Sequence, residues 1–139
     1  MTPWSPRFET GHPRIDAEHR EFFRQLGALH EAIEAGAGRE KIVELISILQ
    51  RYALGHFAHE ERHMQHVGCP ARDENCAAHR AFADKLDGWL GLLGTSNSSV
   101  SLLQDIHRES TAWIESHIAR VDCRLRGCHA AKVEVPAGS

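Results

Sequence analysis

Apolar residues recur at helical spacing in four blocks, and glycine, proline and serine punctuate the chain between them. The first block carries Ile15, Phe22, Phe23, Leu26, Leu29 and Ile33 and breaks at Gly36-Ala37-Gly38, with Asp16 as its expected N-cap. The second carries Ile42, Leu45, Ile46, Leu49, Ala53, His56, Glu60 and Met64 and stops before Gly68-Cys69-Pro70. A third stripe of His79, Phe82, Leu86, Leu90 and Leu93 breaks after Gly94. The fourth holds Leu103, Ile106, Ser110, Trp113, Ile114, His117 and Val121. No stretch alternates with the period of a strand, and no internal repeat is present. Four amphipathic helices with short connections predict an all-α fold: an up-down-up-down antiparallel four-helix bundle, with Trp4 and Phe8 on an N-terminal arm packed across it.

A chain of 139 residues, 42% of them hydrophobic, is large enough for one domain with a core of its own. The net charge of −3, with Lys and Arg scattered among Asp and Glu, argues against nucleic acid as a partner. No run approaches the length of a membrane span, and Met1-Thr-Pro-Trp-Ser-Pro6 lacks the regions of a signal peptide, so no membrane association and a cytoplasmic location are expected. Four cysteines, Cys69, Cys76, Cys123 and Cys128, are too few and too unevenly placed for a disulfide scaffold, and reduced thiols are the expectation. Cys123 and Cys128 with His129 lack the fourth partner of a zinc clip.

The unusual feature of the stripes is the polar residues they carry. His56 and Glu60, four apart, lie about 40° from each other on one helical face. A buried face that contains an imidazole and a carboxylate must pair them, hydrogen-bond them or coordinate them to metal. His-x-x-x-Glu by itself is more often a hydrogen-bonded pair. Each other stripe, however, also carries an inward histidine: His19 between Ile15 and Phe22, His79 three before Phe82, His117 four after Trp113. In an antiparallel bundle the starts of helices one and three are level with the ends of helices two and four, so these groups converge at one end, which favours metal. Asp122, five residues past His117, reaches a common centre only if the fourth helix ends or widens there.

Taken together, Trp4, Gly11, Ile15-Asp16-Ala-Glu-His19, His56-Phe57-Ala-His-Glu60-Glu61, Met64, Gly68-Cys-Pro70, His79 and Trp113-Ile-Glu-Ser-His117-Ile118 through Asp122 resemble the hemerythrins, in particular bacterial hemerythrin domains. The resemblance runs from about residue 4 to residue 125 in correct order and divides the chain into a domain over 1–125 and a tail or linker over 126–139. It implies a non-haem site of two iron ions, oxo- or hydroxo-bridged when oxidised, that binds dioxygen. Carried over position by position, His19 and His56 hold one iron, His79 and His117 help to hold the other, and Glu60 and Asp122 bridge them. Phe23, Phe57, Met64, Trp113 and Ile118, first of all core residues, are then expected to wall the oxygen pocket and keep it dry.

One departure stands out. After the Gly-x-Pro turn the family places two histidines four residues apart, and here those positions hold Asn75 and His79. The iron held by His79 and His117 is therefore expected to carry water or another exchangeable ligand. Asn75 is expected to donate a hydrogen bond to that ligand or to cap its own helix; Glu74, Cys76 and His63 are near enough in sequence to be weighed as substitute ligands. His12, His30, His59, His66, His107 and His129 read as surface residues. A more open centre suits an oxygen or redox sensor better than a carrier, because a sensor needs only two iron states that bias a conformation differently. The sensor is then part of a larger signalling protein, such as a cyclic-dinucleotide enzyme, with a C-terminal output domain. The alternatives are an oxygen carrier or store and a diiron peroxidase-like enzyme; no evident substrate-binding group supports the enzyme.

Overall fold

The computed structural model describes residues 4–95 and 99–119. Within them a 3-10 turn at Pro6–Phe8 precedes four helices: α1 (Pro13–Glu34), α2 (Arg39–Val67), α3 (Arg72–Gly94) and α4 (Val100–His117). α1 packs against α2 and α4, α2 against α3, and α3 against α4, which closes the four-helix bundle. No strand is present among the described residues.

Local chemistry sets the helix ends. Pro13 opens α1 with a φ already suited to a helix, and His12, not Asp16, is its N-cap: Ile15 N–H donates to His12 Nδ1 at 3.2 Å. Asp16 lies inside the first turn and anchors the arm, accepting from Thr10 N–H and Thr10 Oγ1, both at 2.8 Å. A carboxylate near a helix start serves either purpose, and only the fold-back of the arm decides between them. α2 ends in a Schellman arrangement, with Gly68 at φ 65° and Cys69 N–H bonded to Met64 C=O at 2.9 Å. Ser99 caps α4, its Oγ accepting from Leu102 N–H at 3.1 Å. After His117 the backbone widens into π geometry at 118–119.

Leu26, Ile42, Ile46, Leu86 and Leu93 are fully buried in the main core, and the arm contributes Phe8 to it, with Trp4 packed partly buried alongside. Leu45 and Leu90 lie at the core's edge, and Trp89 is the buried member of that turn of α3. A second cluster of Ile15, Met64, Cys69 and Ala71 closes the end of the bundle where α1 starts and α2 stops. Cys76 is a free thiol, and the expectation of reduced thiols fails for Cys69, which is disulfide-bonded. A disulfide is a matter of Cβ separation, which spacing along the chain does not reveal. Val121, Asp122, Cys123, Cys128, His129 and the tail 126–139 lie outside the described residues. No helix among the described residues is long and apolar enough to cross a membrane.

Candidate metal centre

Five of the six ligand positions named from the sequence converge at one end of the bundle, one or two from each helix. His19 is in α1, His56 and Glu60 are one turn apart in α2, His79 is in the second turn of α3, and His117 is the last residue of α4. All five are buried, Glu60 and His19 completely. His19, His56 and Glu60 form one group with the reach of a metal site, and Glu60, His79 and His117 form a second. Glu60 belongs to both because its two oxygens face opposite ways. Oε2 lies 3.2 Å from His19 Nε2 and 3.4 Å from His56 Nε2, while Oε1 lies 3.2 Å from His79 Nε2.

These distances test whether the donors suit a metal. In octahedral coordination, donors at about 2.1 Å from a cation stand ~3.0 Å apart along an edge; in tetrahedral coordination they stand ~3.4 Å apart. The first group spans that range, with His19 Nε2 and His56 Nε2 at 3.0 Å. Two imidazole nitrogens pointed at each other in a dry interior need a proton or a cation between them. His79 Nε2, also buried, lies 3.2 Å from Glu60 Oε1. The donor set, three or more imidazoles and a shared carboxylate, suits iron and other divalent first-row metals.

The carboxylates outside this ring settle the imidazole tautomers. Glu18 Oε1 is 3.0 Å from His56 Nδ1 and 2.8 Å from His59 Nδ1, and Glu61 Oε2 is 2.8 Å from His79 Nδ1. An ionised carboxylate only accepts, so His56 and His79 carry protons on Nδ1, and with a cation bound their Nε2 lone pairs would face it. Burial would raise the Glu18 carboxyl, but hydrogen bonds from His56 and His59 outweigh it and hold the group at about 2. In the same way Glu60, despite complete burial, is held well below the carboxylate range by hydrogen bonds with His19, His56 and His79. His56 is the mirror case: burial opposes its charge, yet Glu18 and Glu60 raise its pKa.

Aromatic rings wall the site. Phe57 stacks on His79 with centroids 3.9 Å apart, Trp113 stacks on His117 at 4.4 Å, and Phe22 meets His56 edge-on at 5.1 Å. Of the other residues expected around the pocket, Ile118 is in the main core, Phe23 packs on Phe8 at 5.2 Å, and Met64 Sδ accepts from Asn75 Nδ2 at 3.2 Å. A cavity of about 270 Å³ between α2 and α3 is lined in part by Phe57, Glu61, Cys76 and His79.

Asn75 is completely buried, and its Nδ2 donates to Glu60 Oε1 at 2.6 Å. Its side chain is neither a helix cap nor a donor with a free hand. The weighed substitutes stand elsewhere: Glu74 is exposed, His63 lies against His12 with ring centroids 4.3 Å apart, and the Cys76 thiol is raised by burial and by a hydrogen bond with Glu61. Histidines read as surface residues are half-buried at His12, His30, His59 and His107, and His66 is exposed. Glu18, Glu61 and Phe22 are given no role in the site by the sequence reading. Glu18, directly before His19, and Glu61, directly after Glu60, carry a signal in their adjacency, but which imidazole each grips is decided between helices.

Comparison with known proteins agrees with this geometry. The hemerythrin HHE cation binding domain matches residues 10–125. Bacteriohemerythrin of Methylococcus capsulatus is 30% identical over 133 residues, covering 94% of this chain and 98% of that protein. Bacteriohemerythrin of Clostridium acetobutylicum is 26% identical over 125 residues, 88% of this chain and 96% of the relative. Hemerythrin subunit beta of Lingula anatina is 27% identical over 124 residues, 89% of this chain and 92% of the relative.

Proposed function

The chain belongs to the hemerythrin HHE cation binding domain family, a diiron, oxygen-binding family, and on that premise we propose that it is a dioxygen-responsive sensory domain. The observation that carries the metal reading is Glu60, which turns one oxygen toward His19 and His56 and the other toward His79. We assign one iron to His19, His56 and Glu60 and the other to Glu60, His79 and His117; Asp122, the second bridge in the resemblance, lies outside the described residues. Iron held there would supply redox-active binding of dioxygen. The protein's part is to present neutral Nε2 donors, held by Glu18 and Glu61, and to exclude water with Phe57 and Trp113.

A sensing role is supported by Asn75, which stands where the resemblance implies an imidazole, and by the cavity that His79 helps to line. Such a centre leaves an oxygen adduct open to autoxidation, which a carrier must resist and a sensor need not. A cytoplasmic location and an output domain in the full-length protein belong to the same proposal. The test is metal analysis with absorption spectra taken anaerobically and in air. We expect two irons per chain and a short-lived oxygenated spectrum. Fewer than about 1.5 irons per chain would remove the diiron assignment, and an oxygenated spectrum lasting hours at room temperature would point to a carrier.

A further inference from the structure

We infer that Asn75 is a specificity-determining residue of the centre: its amide is fixed by Glu60, so that its buried carbonyl selects a proton-bearing ligand such as water at the His79–His117 half-site. The inference rests on the metal assignment proposed above. It begins with the orientation of the amide. Asn75 Nδ2 is the atom that faces the buried Glu60 side chain, and it donates to Oε1 at 2.6 Å. The opposite orientation would set a carbonyl lone pair against a carboxylate at that distance. Met64 Sδ, itself only an acceptor, receives from the same nitrogen at 3.2 Å. The donating end of the side chain is therefore fully engaged.

What remains is Oδ1. It is buried without a hydrogen-bond partner among the described residues, and a carbonyl in that condition is destabilising. Asn75 lies one turn before His79 on the same face of α3, level with the half-site formed by Glu60, His79 and His117. A ligand there that carries a proton satisfies the carbonyl. An anion without one meets a lone pair. The expectation from sequence, that Asn75 donates to a bound ligand, is thus inverted: the side chain has only an acceptor to offer.

The discriminating probe is sodium azide, an anion with no proton to give, titrated into the iron-loaded, air-oxidised protein and followed by its charge-transfer absorption. Asn75→Leu removes the acceptor and should bind azide about tenfold more tightly than the unsubstituted protein, the equivalent of one hydrogen bond lost by the competing water. Asn75→Asp, nearly isosteric and with more acceptor character, should bind it at least about tenfold more weakly. Azide affinity within about twofold of the unsubstituted protein in the variants would overturn the inference; if Asn75→Leu does not fold, Asn75→Asp decides alone. Loss of one of two irons in Asn75→Leu would overturn it differently, by making the carbonyl a direct metal ligand while leaving the diiron assignment standing. An unsubstituted protein that takes up no iron would remove the diiron assignment and this inference with it.

Discussion

At the scale of single residues, the centre depends on groups that never reach the inner ring. Glu18 grips His56 Nδ1 at 3.0 Å and His59 Nδ1 at 2.8 Å with one oxygen, so the imidazole that faces Glu60 is held in one tautomer and one orientation. Such partners typically contribute 10–100-fold to metal affinity, and Glu18→Ala should weaken iron or zinc binding by roughly that factor in competition with a chelator. Glu18→Gln, which keeps an acceptor oxygen, should fall between the two. An unchanged affinity in Glu18→Ala would mean that packing against Phe22 suffices to aim the ring. The ligand types were legible in the sequence because a histidine on an apolar stripe is conspicuous. Their partners were not, because Glu18 is one acidic residue among 19 Asp and Glu, and nothing local distinguishes it.

At the scale of helices, the seam between α1 and α4 holds a second pair of imidazoles, far along both helices from the ligands. The His30 and His107 rings lie 4.9 Å apart, with Thr111 Oγ1 3.4 Å from His107 Nε2. Burial lowers the His107 pKa and the neighbouring His30 adds to the effect, while a hydrogen bond to the Leu26 carbonyl opposes them. Because the folded protein takes up this proton less readily than the unfolded chain, the associated stability is present above the unfolded pKa of about 6.5 and is lost as pH falls through it. His56 has the opposite sign, so the comparison must be made within one background. His107→Gln should lose less stability than the unsubstituted protein between pH 8 and pH 5.5, measured by urea unfolding; parallel curves would refute this. The helices themselves were plain in the periodicity, and Gly36 and Gly68, both at positive φ, end α1 and α2 where the glycines stand. The start of α1 was misassigned because Asp16 satisfies an N–H of the arm and not of its own helix.

For the molecule as a whole, metal binding and folding are one equilibrium. Without a cation, the interior must hold two Nε2 atoms at 3.0 Å and an ionised carboxylate with protons in place of metal. Saturating metal at ~100 times its dissociation constant should therefore stabilise the fold by about 2.7 kcal/mol, visible as a rise in thermal midpoint that EDTA reverses. The gain should shrink at acid pH, where protons compete for the same nitrogens. A midpoint indifferent to metal would argue that these residues are a hydrogen-bonded core and nothing more.

What the sequence determined by itself is the repertoire: four amphipathic helices, the positions where they break, and one imidazole or more on each inward stripe. Periodicity is local, and it reports which face of a helix is buried. Only the packing of α1 against α2, and of α2 against α3, decided that Glu60 divides its oxygens between two histidine groups and that Asn75 spends its donor on Glu60. The physical reason is that the direction of a hydrogen bond between helices depends on their relative height and rotation, and neither is written in the spacing of either helix alone.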